Sequence, residues 1–457
     1  MKFPDLRSFL KELETTGELV RVSEELSTRF EIAAAIKLIA EKRGSAVLCE
    51  KVKGYNIPVV GNLLGNTKRL AMAMDVKEED LAAAYLAGRE KPVKPRVIAH
   101  APVQEVIIDS DIDIIRTIPV LLHHEKDAGP YMTSAFVVAK DLETRMRGQG
   151  IHRIQVKGKD RVGIFLATPP LSHFLAKAEQ QGKPLEIAIV LGADPVTYFA
   201  SPQSAPQATD KYDIAGGLAK AAIELVKCRS IDVEVPAHAE FVLEGYIIPH
   251  QREKEGPFGE STGYYLTYDN PVAKITVITH RTNPIYHALV PFGVEEDVLL
   301  FPQSQIDVLV WLQCILPSVR RVYSPNFGVV YVQIDKQTDE DASIVIDALL
   351  SKAGVPYSKV VIVVDTDVDV LNPGEITWAL GSRVRPDKDI IIRSGLPGLS
   401  IDPSAQLGEG VGELGELQTK TAKIGIDATK PLTELDKFEK VDVPLEVRHK
   451  IITLLGI

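Results

Sequence analysis

Two glutamates, Glu255 and Glu260, bracket the glycine-rich turn Gly256-Pro257-Phe258-Gly259. Paired carboxyl groups at this spacing suit general acid/base work or a metal site, and they also suit a solvated surface loop. Bulky Phe258, Tyr264 and Tyr265 lie beside the acids; aromatic neighbours strip water from a carboxylate and raise its pKa, as a proton donor at neutral pH requires. A cation nearby would keep one acid ionised while the other stays tunable. Arg153, in the strand-like run GIHRIQVKG, is a candidate for that cation, although an arginine in a strand more often faces solvent. Spacing alone takes these three residues to a possible acid/base cluster.

Other groupings compete with it. Asp365, Asp367 and Asp369 follow the apolar run VVIVV, and carboxylates at the end of a parallel strand are a frequent magnesium site; such clusters also cap helices. Gly410, Gly412 and Gly415 have dinucleotide-loop spacing, but the preceding SIDPSAQL reads as a polar turn where that site needs a strand. A glycine loop is the simpler reading. The ten histidines include no metal-ligand spacing such as H-E-x-x-H, and adjacent His123 and His124 would point apart on a strand. His173 differs, standing at an expected helix start where a side chain can meet an anion or a metal. No G-x-S-x-G elbow or P-loop occurs.

The chain that must position these groups has 457 residues, 45% of them hydrophobic and 25% charged, so it is long enough for two or three domains. A net charge of -10 argues against nucleic acid or an anionic membrane as the main partner. Three isolated cysteines, Cys49, Cys228 and Cys314, fit a reducing cytoplasm and exclude a disulfide framework or a cysteine zinc module. Leu6, Phe9, Leu10 and Leu13 have the period of an amphipathic helix that Gly17 would end, not of a signal peptide. No membrane span is expected.

Residues 1–102 mix helix and strand, and the proline-rich EKPVKPRVIAHAP marks a boundary. Residues 103–300 read as many short strands, a barrel or sandwich, interrupted by helices near 172–181 and 213–227. Residues 301–430 alternate strand and helix around a largely parallel sheet. Residues 431–457 end in an amphipathic helix after Pro444, which needs another surface to cover it.

Ordered landmarks along nearly the whole chain resemble the UbiD family of decarboxylases, which use prenylated FMN: GIHRIQV, PPLSH, IVLGADP, LVKC, VEVPAHAEFVLEGYI, EGPFGESTGYY, VVDTDVDV, WALGSRVRP and AKIGIDATKP. The resemblance implies an α/β (α+β) protein: an N-terminal α/β domain, a central split β-barrel of flavin-reductase type that binds the cofactor, and a C-terminal α/β oligomerisation domain with a docking helix. It implies a Glu-Arg-Glu site at Glu255, Arg153 and Glu260. Glu260 would be the proton donor, and Glu255 and Arg153 would hold its orientation and ionisation. Thr133, Ile151, His152, Arg153, His173, Lys211 and Lys352 would contact the cofactor, Lys352 at its phosphate. The activity implied is non-oxidative decarboxylation of an α,β-unsaturated or (hetero)aromatic acid, reversible to carboxylation of the product with CO2. The implied setting is a cytoplasmic homodimer or homohexamer supplied by a prenyl-FMN synthase. Small residues Gly395, Gly398 and Ser400 would leave room for a substrate ring.

One departure stands out. The family commonly holds a divalent ion, Mn or Mg, with K+ nearby, through Asn, His and Glu at the FMN phosphate. His173 matches the histidine, but Gly148 and Lys211 occupy the other two positions, with Asp210 or Asp213 as substitute ligands if the alignment slips. Either a rearranged set holds the metal, or the Lys211 ammonium neutralises the phosphate in its place. Two other readings stand beside the enzyme: a non-catalytic flavin-binding or carrier subunit, and a metal-dependent hydrolase built on Asp365, Asp367 and Asp369.

Overall fold

The strand Leu185–Leu191 is apolar at almost every position, and its surroundings explain why. Ile187, Ile189 and Leu191 enter one hydrophobic core, while Ala188 and Val190 enter another on the opposite face. Neighbouring Phe136–Lys140 divides likewise, Val137 and Ala139 on one side and Phe136 and Val138 on the other. A strand buried on both faces loses the apolar/polar alternation of a half-exposed one. The computed structural model that gives this arrangement describes residues 1–206, 209–351, 358–411 and 417–455. Lys352, Gly412 and Gly415 therefore lie outside the described residues.

Two compact units emerge. The first comprises Met1–Asp307 with Pro397–Thr421. At its centre is one nine-stranded antiparallel sheet in the order Tyr131–Met132, Ile154–Val156, Arg161–Ile164, Tyr265–His280, Phe241–Gly259, Leu185–Leu191, Phe136–Lys140, Arg147–Ile151, with Val106–Ile108 paired on Tyr265–His280. A four-stranded sheet (Leu19–Leu26, Ala46–Val52, Val59–Gly61, Tyr286–Ala288) and a three-stranded one (Glu234–Pro236, Glu224–Lys227, Arg96–Ile98) accompany it. The opening helix Leu6–Thr15 buries Leu6, Phe9, Leu10 and Leu13 as the period predicts, and Asp5 and Ser8 form its capping box.

The helix expected over 213–227 instead spans Lys211–Ala219, and Glu224–Lys227 is a strand paired with Arg96–Ile98. Lys220 adopts a left-handed conformation (φ 52°) that ends the helix. Gly216 and Gly217 inside it press on backbone: a Cβ on Gly217 would stand 2.1 Å from the Gly88 carbonyl oxygen.

The second unit, Val308–Leu396 with Ala422–Ile457, has a parallel core. Val329–Ile334 runs parallel to Val360–Asp365, which runs parallel to Ile424–Ala428. Val361 and Val363 pack with helix Asp341–Ser351, whereas Ile362 and Val364 pack with helix Pro373–Arg383. The terminal helix Leu445–Leu455 buries no residue, and Leu445, Leu454 and Leu455 are exposed. Among the described residues, one helical run, Val294–Ile315, is long and apolar enough to cross a membrane by length and composition; it carries Glu295, Glu296, Asp297 and Asp307.

Candidate active site

The longest hairpin of the first unit, Phe241–Gly259 against Tyr265–His280, carries both acids of the opening cluster. Glu255 pairs with Tyr268, a bulge comes next, and pairing resumes at Phe258 with Leu266. Gly256 makes the bulge possible. Its φ is +104°, and a Cβ there would stand 2.4 Å from the Leu266 carbonyl oxygen. Gly259 is equally constrained, since a Cβ would meet the His124 ring at 2.5 Å. The turn closes as Glu260 N–H donates to the Tyr264 carbonyl at 2.9 Å.

Arg153 arrives from another part of the sheet. The strand-like run around it is interrupted: Arg147–Ile151 and Ile154–Val156 are separate strands, with His152 and Arg153 between them. Its side chain is buried, as are Glu255 and Glu260. Nη2 donates to Glu255 Oε2 at 2.7 Å, Nε reaches both Glu255 oxygens at 3.2 Å, and Nη1 donates to Glu260 Oε1. Asn270 Nδ2 adds a further bond to Glu255 Oε2 at 2.8 Å. The guanidinium also faces the rings of Phe165, Phe258 and Tyr268, 4.3, 4.9 and 5.7 Å from their centroids. Burial opposes its charge, but Glu260 and Glu255 outweigh that and hold it above its ordinary value.

One positive charge thus serves two carboxyl groups, and the trio reaches neutrality by binding one proton. Glu255 accepts from Arg153 and Asn270; Glu260 has one Arg153 contact and bonds from the Ser261 N–H (3.2 Å) and hydroxyl (3.3 Å). Aromatic walls and low polarity make such charge–charge terms large. Tyr131 borders the trio with its hydroxyl buried; burial first, then the Glu255 charge, pushes its phenol up. The Tyr268 hydroxyl donates to the Ser400 carbonyl, so the Pro397–Thr421 segment of the same unit reaches the site.

The other expected cofactor residues form a second grouping. His152 is buried and held neutral, pushed down to about 4 by desolvation, with Nδ1 3.0 Å from the Phe165 carbonyl. Lys211 Nζ donates to the Ser201 carbonyl at 2.8 Å, and burial pushes it down to about 8. Gln149 Nε2 donates to the hydroxyl of the same Ser201 at 3.2 Å, leaving Gln149 Oε1 unpartnered, as is the buried Ser172 Oγ. Ile151 is half-buried at the end of its strand. The Thr133 hydroxyl is committed to the Leu289 carbonyl at 2.5 Å.

His173 sits in the first turn of helix Leu171–Gln180, half-buried. Its supposed co-ligands are not arranged around a metal. Asp210 accepts from Arg147 at 2.6 Å and caps its helix through Tyr212 N–H at 2.9 Å. Asp213, three positions further on, is only half-buried. A Cβ on Gly148 would stand 2.6 Å from Phe174 and 2.7 Å from Pro170, so an asparagine has no room there. Among the described residues, no group of three or more His, Cys, Asp and Glu side chains could hold a metal.

The aspartate cluster of the second unit is likewise occupied. Arg383 donates to Asp365 at 3.0 Å and to Asp367 at 2.8 Å, and Lys430 Nζ reaches Asp367 at 3.0 Å. These carboxylates are bound by cations of their own chain, which removes the observation behind the hydrolase reading. The glycine-loop segment also differs from expectation: Gln406–Val411 is a strand, antiparallel to Leu417–Ala428, where the sequence predicts a polar turn and a loop. The next element along the chain is thus a second strand, whereas a dinucleotide site needs a helix.

Sequence reasoning did not single out Asn270, Phe165, Tyr268, Tyr131, Ser261 or Glu296. The hairpin register would have found two of them: Tyr268 lies opposite Glu255, and Asn270 stands two residues further on the same face.

Comparison with known proteins identifies the family. Three family models match in order: the 3-octaprenyl-4-hydroxybenzoate carboxy-lyase N-terminal domain over residues 10–87, its Rift-related domain over 96–294, and its C-terminal domain over 291–428. The chain is 34% identical over 448 residues to anhydromevalonate phosphate decarboxylase of Methanothermobacter thermautotrophicus, covering 95% of this chain and 99% of that protein. It is 37% identical over 425 residues to phenolic acid decarboxylase of Sedimentibacter hydroxybenzoicus, covering 88% of each. The solved UbiD-class enzyme HmfF of Pelotomaculum thermopropionicum, in complex with FMN, superposes with a TM-score of 0.88 at 37% identity, covering 97% of this chain and 98% of that one. The vanillic acid decarboxylase of Sedimentibacter hydroxybenzoicus in closed form gives 0.82 at 35%, covering 99% of each. Sequence models, full-length relatives and fold agree, and the chain belongs to the UbiD family of carboxy-lyases.

Proposed function

We propose that this carboxy-lyase removes CO2 from a small aromatic, heteroaromatic or α,β-unsaturated carboxylic acid, with prenylated FMN bound beside Arg153, Glu255 and Glu260. The observation that carries the reading is the buried guanidinium shared between two carboxyl groups of one hairpin, one gripped by the Arg153 fork and Asn270, the other by a single Arg153 nitrogen and Ser261. Prenylated FMN, when bound, supplies a sink for the electrons that the departing carboxylate leaves behind. Glu255, fixed by Arg153 and Asn270, stays ionised and orients the guanidinium. Glu260 carries the proton and delivers it to the carbon that has lost CO2. Phe165, Phe258 and Tyr268 keep water from the reacting carbon. The same residues serve carboxylation when CO2 is abundant, with Glu260 removing the proton.

The cofactor's polar end fits the Lys211 grouping, where a buried ammonium has one protein acceptor, and Gln149 and Ser172 have unused polar atoms. His152 and Ile151 directly precede Arg153 in the chain. The divalent ion does not fit the expected ligand positions: Gly148 has no space for a ligand side chain, and Asp210 is engaged by Arg147. We assign the charge of the phosphate to Lys211 instead.

The test is coexpression with a prenyl-FMN synthase, mass spectrometry of the bound cofactor, and CO2 release from vanillate, 3,4-dihydroxybenzoate and anhydromevalonate phosphate. Glu260→Gln should retain cofactor and lose about 10²–10⁴ in rate, together with product hydrogen–deuterium exchange. Near-normal exchange in that variant would remove Glu260 from its role.

A further inference from the structure

Decarboxylation consumes a proton in every turnover. The C–C bond to the carboxylate breaks, a C–H bond forms with the proton of Glu260, and Glu260 is left as a carboxylate. It is buried and must be recharged from solvent before the next cycle. Arg153 cannot do this, because a guanidinium does not give up its proton in a protein. Asn270 and Glu255 make no bond to Glu260 among the described residues. The remaining hydrogen-bonded neighbour is Ser261.

Ser261 Oγ stands 3.3 Å from Glu260 Oε2 and 3.3 Å from Glu296 Oε1. A hydroxyl donates once and accepts as well, so it can pass a proton between two carboxyl groups. Glu296 lies in the first turn of helix Val294–Phe301, and its Oε2 accepts from the Phe292 N–H at 2.8 Å. Glu296 is only half-buried, so this end of the chain of bonds opens toward water.

We infer that Glu296, acting through Ser261, is the proton reservoir that recharges Glu260 between turnovers. The step balances: Glu296 gives its carboxyl proton to Ser261 Oγ as the Ser261 hydroxyl proton passes to Glu260 Oε2, and Glu296 then regains a proton from solvent. Burial, then the Glu260 charge, pushes the Glu296 carboxyl up to about 8, so it holds a proton at neutral pH. The other ionisable groups around it are Glu295 and Asp297 on its own helix, the buried Tyr198 phenol, and Lys37, which stands over the Phe292 ring. The inference rests on Glu260 being the proton donor, and Glu296 is a positioning and supply residue that acts through it.

Holoenzyme variants Glu296→Gln, Ser261→Ala and Ser261→Thr separate the possibilities. Single-turnover product formation by Glu296→Gln should stay within about twofold of wild type, while steady-state kcat falls about tenfold or more at unchanged KM. Ser261→Ala should behave alike, Ser261→Thr should retain activity, and added imidazole buffer should restore Glu296→Gln. An undiminished steady-state kcat in Glu296→Gln overturns the relay, as does equal slowing of its first turnover. If Glu260→Gln still turns over, the donor assignment fails; if Glu260→Gln is inactive and Glu296→Gln unimpaired, the relay alone fails. A substrate-free readout stands beside these. Infrared difference spectra of the cofactor-free protein between pH 6 and 9 should show a protonated carboxyl that Glu296→Gln removes and Glu260→Gln keeps. A spectrum unchanged by Glu296→Gln overturns the relay.

Discussion

Replacing Arg153 by methionine tests the electrostatic design of the site. The side chain keeps its approximate volume against Phe165, Phe258 and Tyr268 but loses every bond to Glu255 and Glu260. Two buried carboxyl groups then face each other with no cation. Removing one partner of a buried ion pair costs about 3–5 kcal/mol, so Arg153→Met should be destabilised by about that amount at pH 8. The carboxyl groups can relieve the loss by taking up protons. A proton taken up on folding makes the variant more stable at low pH and less stable as pH rises. Each extra proton held by the folded state is worth about 1.4 kcal/mol per pH unit. Between pH 8 and pH 5 a single proton can therefore recover about 4 kcal/mol, nearly the whole deficit. Denaturant unfolding at the two pH values, with wild type alongside, reads this directly. A deficit of the same size at both would refute the electrostatic argument and assign the loss to packing against the rings. Arg153→Lys should recover much of the stability but not the activity, since one ammonium cannot span two carboxyl groups as a fork does.

Further outcomes are expected elsewhere. The Glu296 carboxyl lies at about 8 in the fold against 4.5 unfolded, so wild type should lose stability as pH rises between these values, by at most about 5 kcal/mol. Thermal melts of Glu296→Gln should lack that slope and exceed wild type above pH 8. Lys211→Met should weaken FMN binding by about 10–100-fold in fluorescence titration, the worth of one charge-assisted hydrogen bond, with chelator making no difference to wild type. FMN affinity of wild type should also fall as pH rises past 8, where buried Lys211 loses its proton. Arg383→Ala, which leaves Asp365 and Asp367 to Lys430, should destabilise the second unit by about 1.5–3 kcal/mol while leaving flavin content unchanged.

The sequence carried the elements better than their partners. Period and capping located Leu6–Thr15, and the apolar runs at 185–191 and 360–364 announced strands covered on both sides. The helix expected over 213–227 runs too far because Gly216 and Gly217 read as helix interior; their function is close backbone approach, which only three-dimensional neighbours reveal. The acids and arginine were legible as residue types, but not their grouping. Arg153 and Glu255 lie 102 positions apart and meet only through strand order. The aspartate cluster misled for the same reason. Nothing near Asp365 in sequence announces that Arg383 and Lys430 will occupy it.

The bulge between Glu255 and Phe258 also bears on how this site can change over generations. A strand alternates faces at every residue, so two groups on one hairpin keep a common side only while the count between them holds its parity. Here that parity is set by the extra chain folded out at Gly256 and Pro257. Loss or gain of a single codon between the acids would turn the end of the strand at Gly259 to the other face and carry Glu260, the next residue, out of register with Arg153. Side chains lining the substrate can vary one at a time, but the interval between the two acids is a unit, inherited whole or lost.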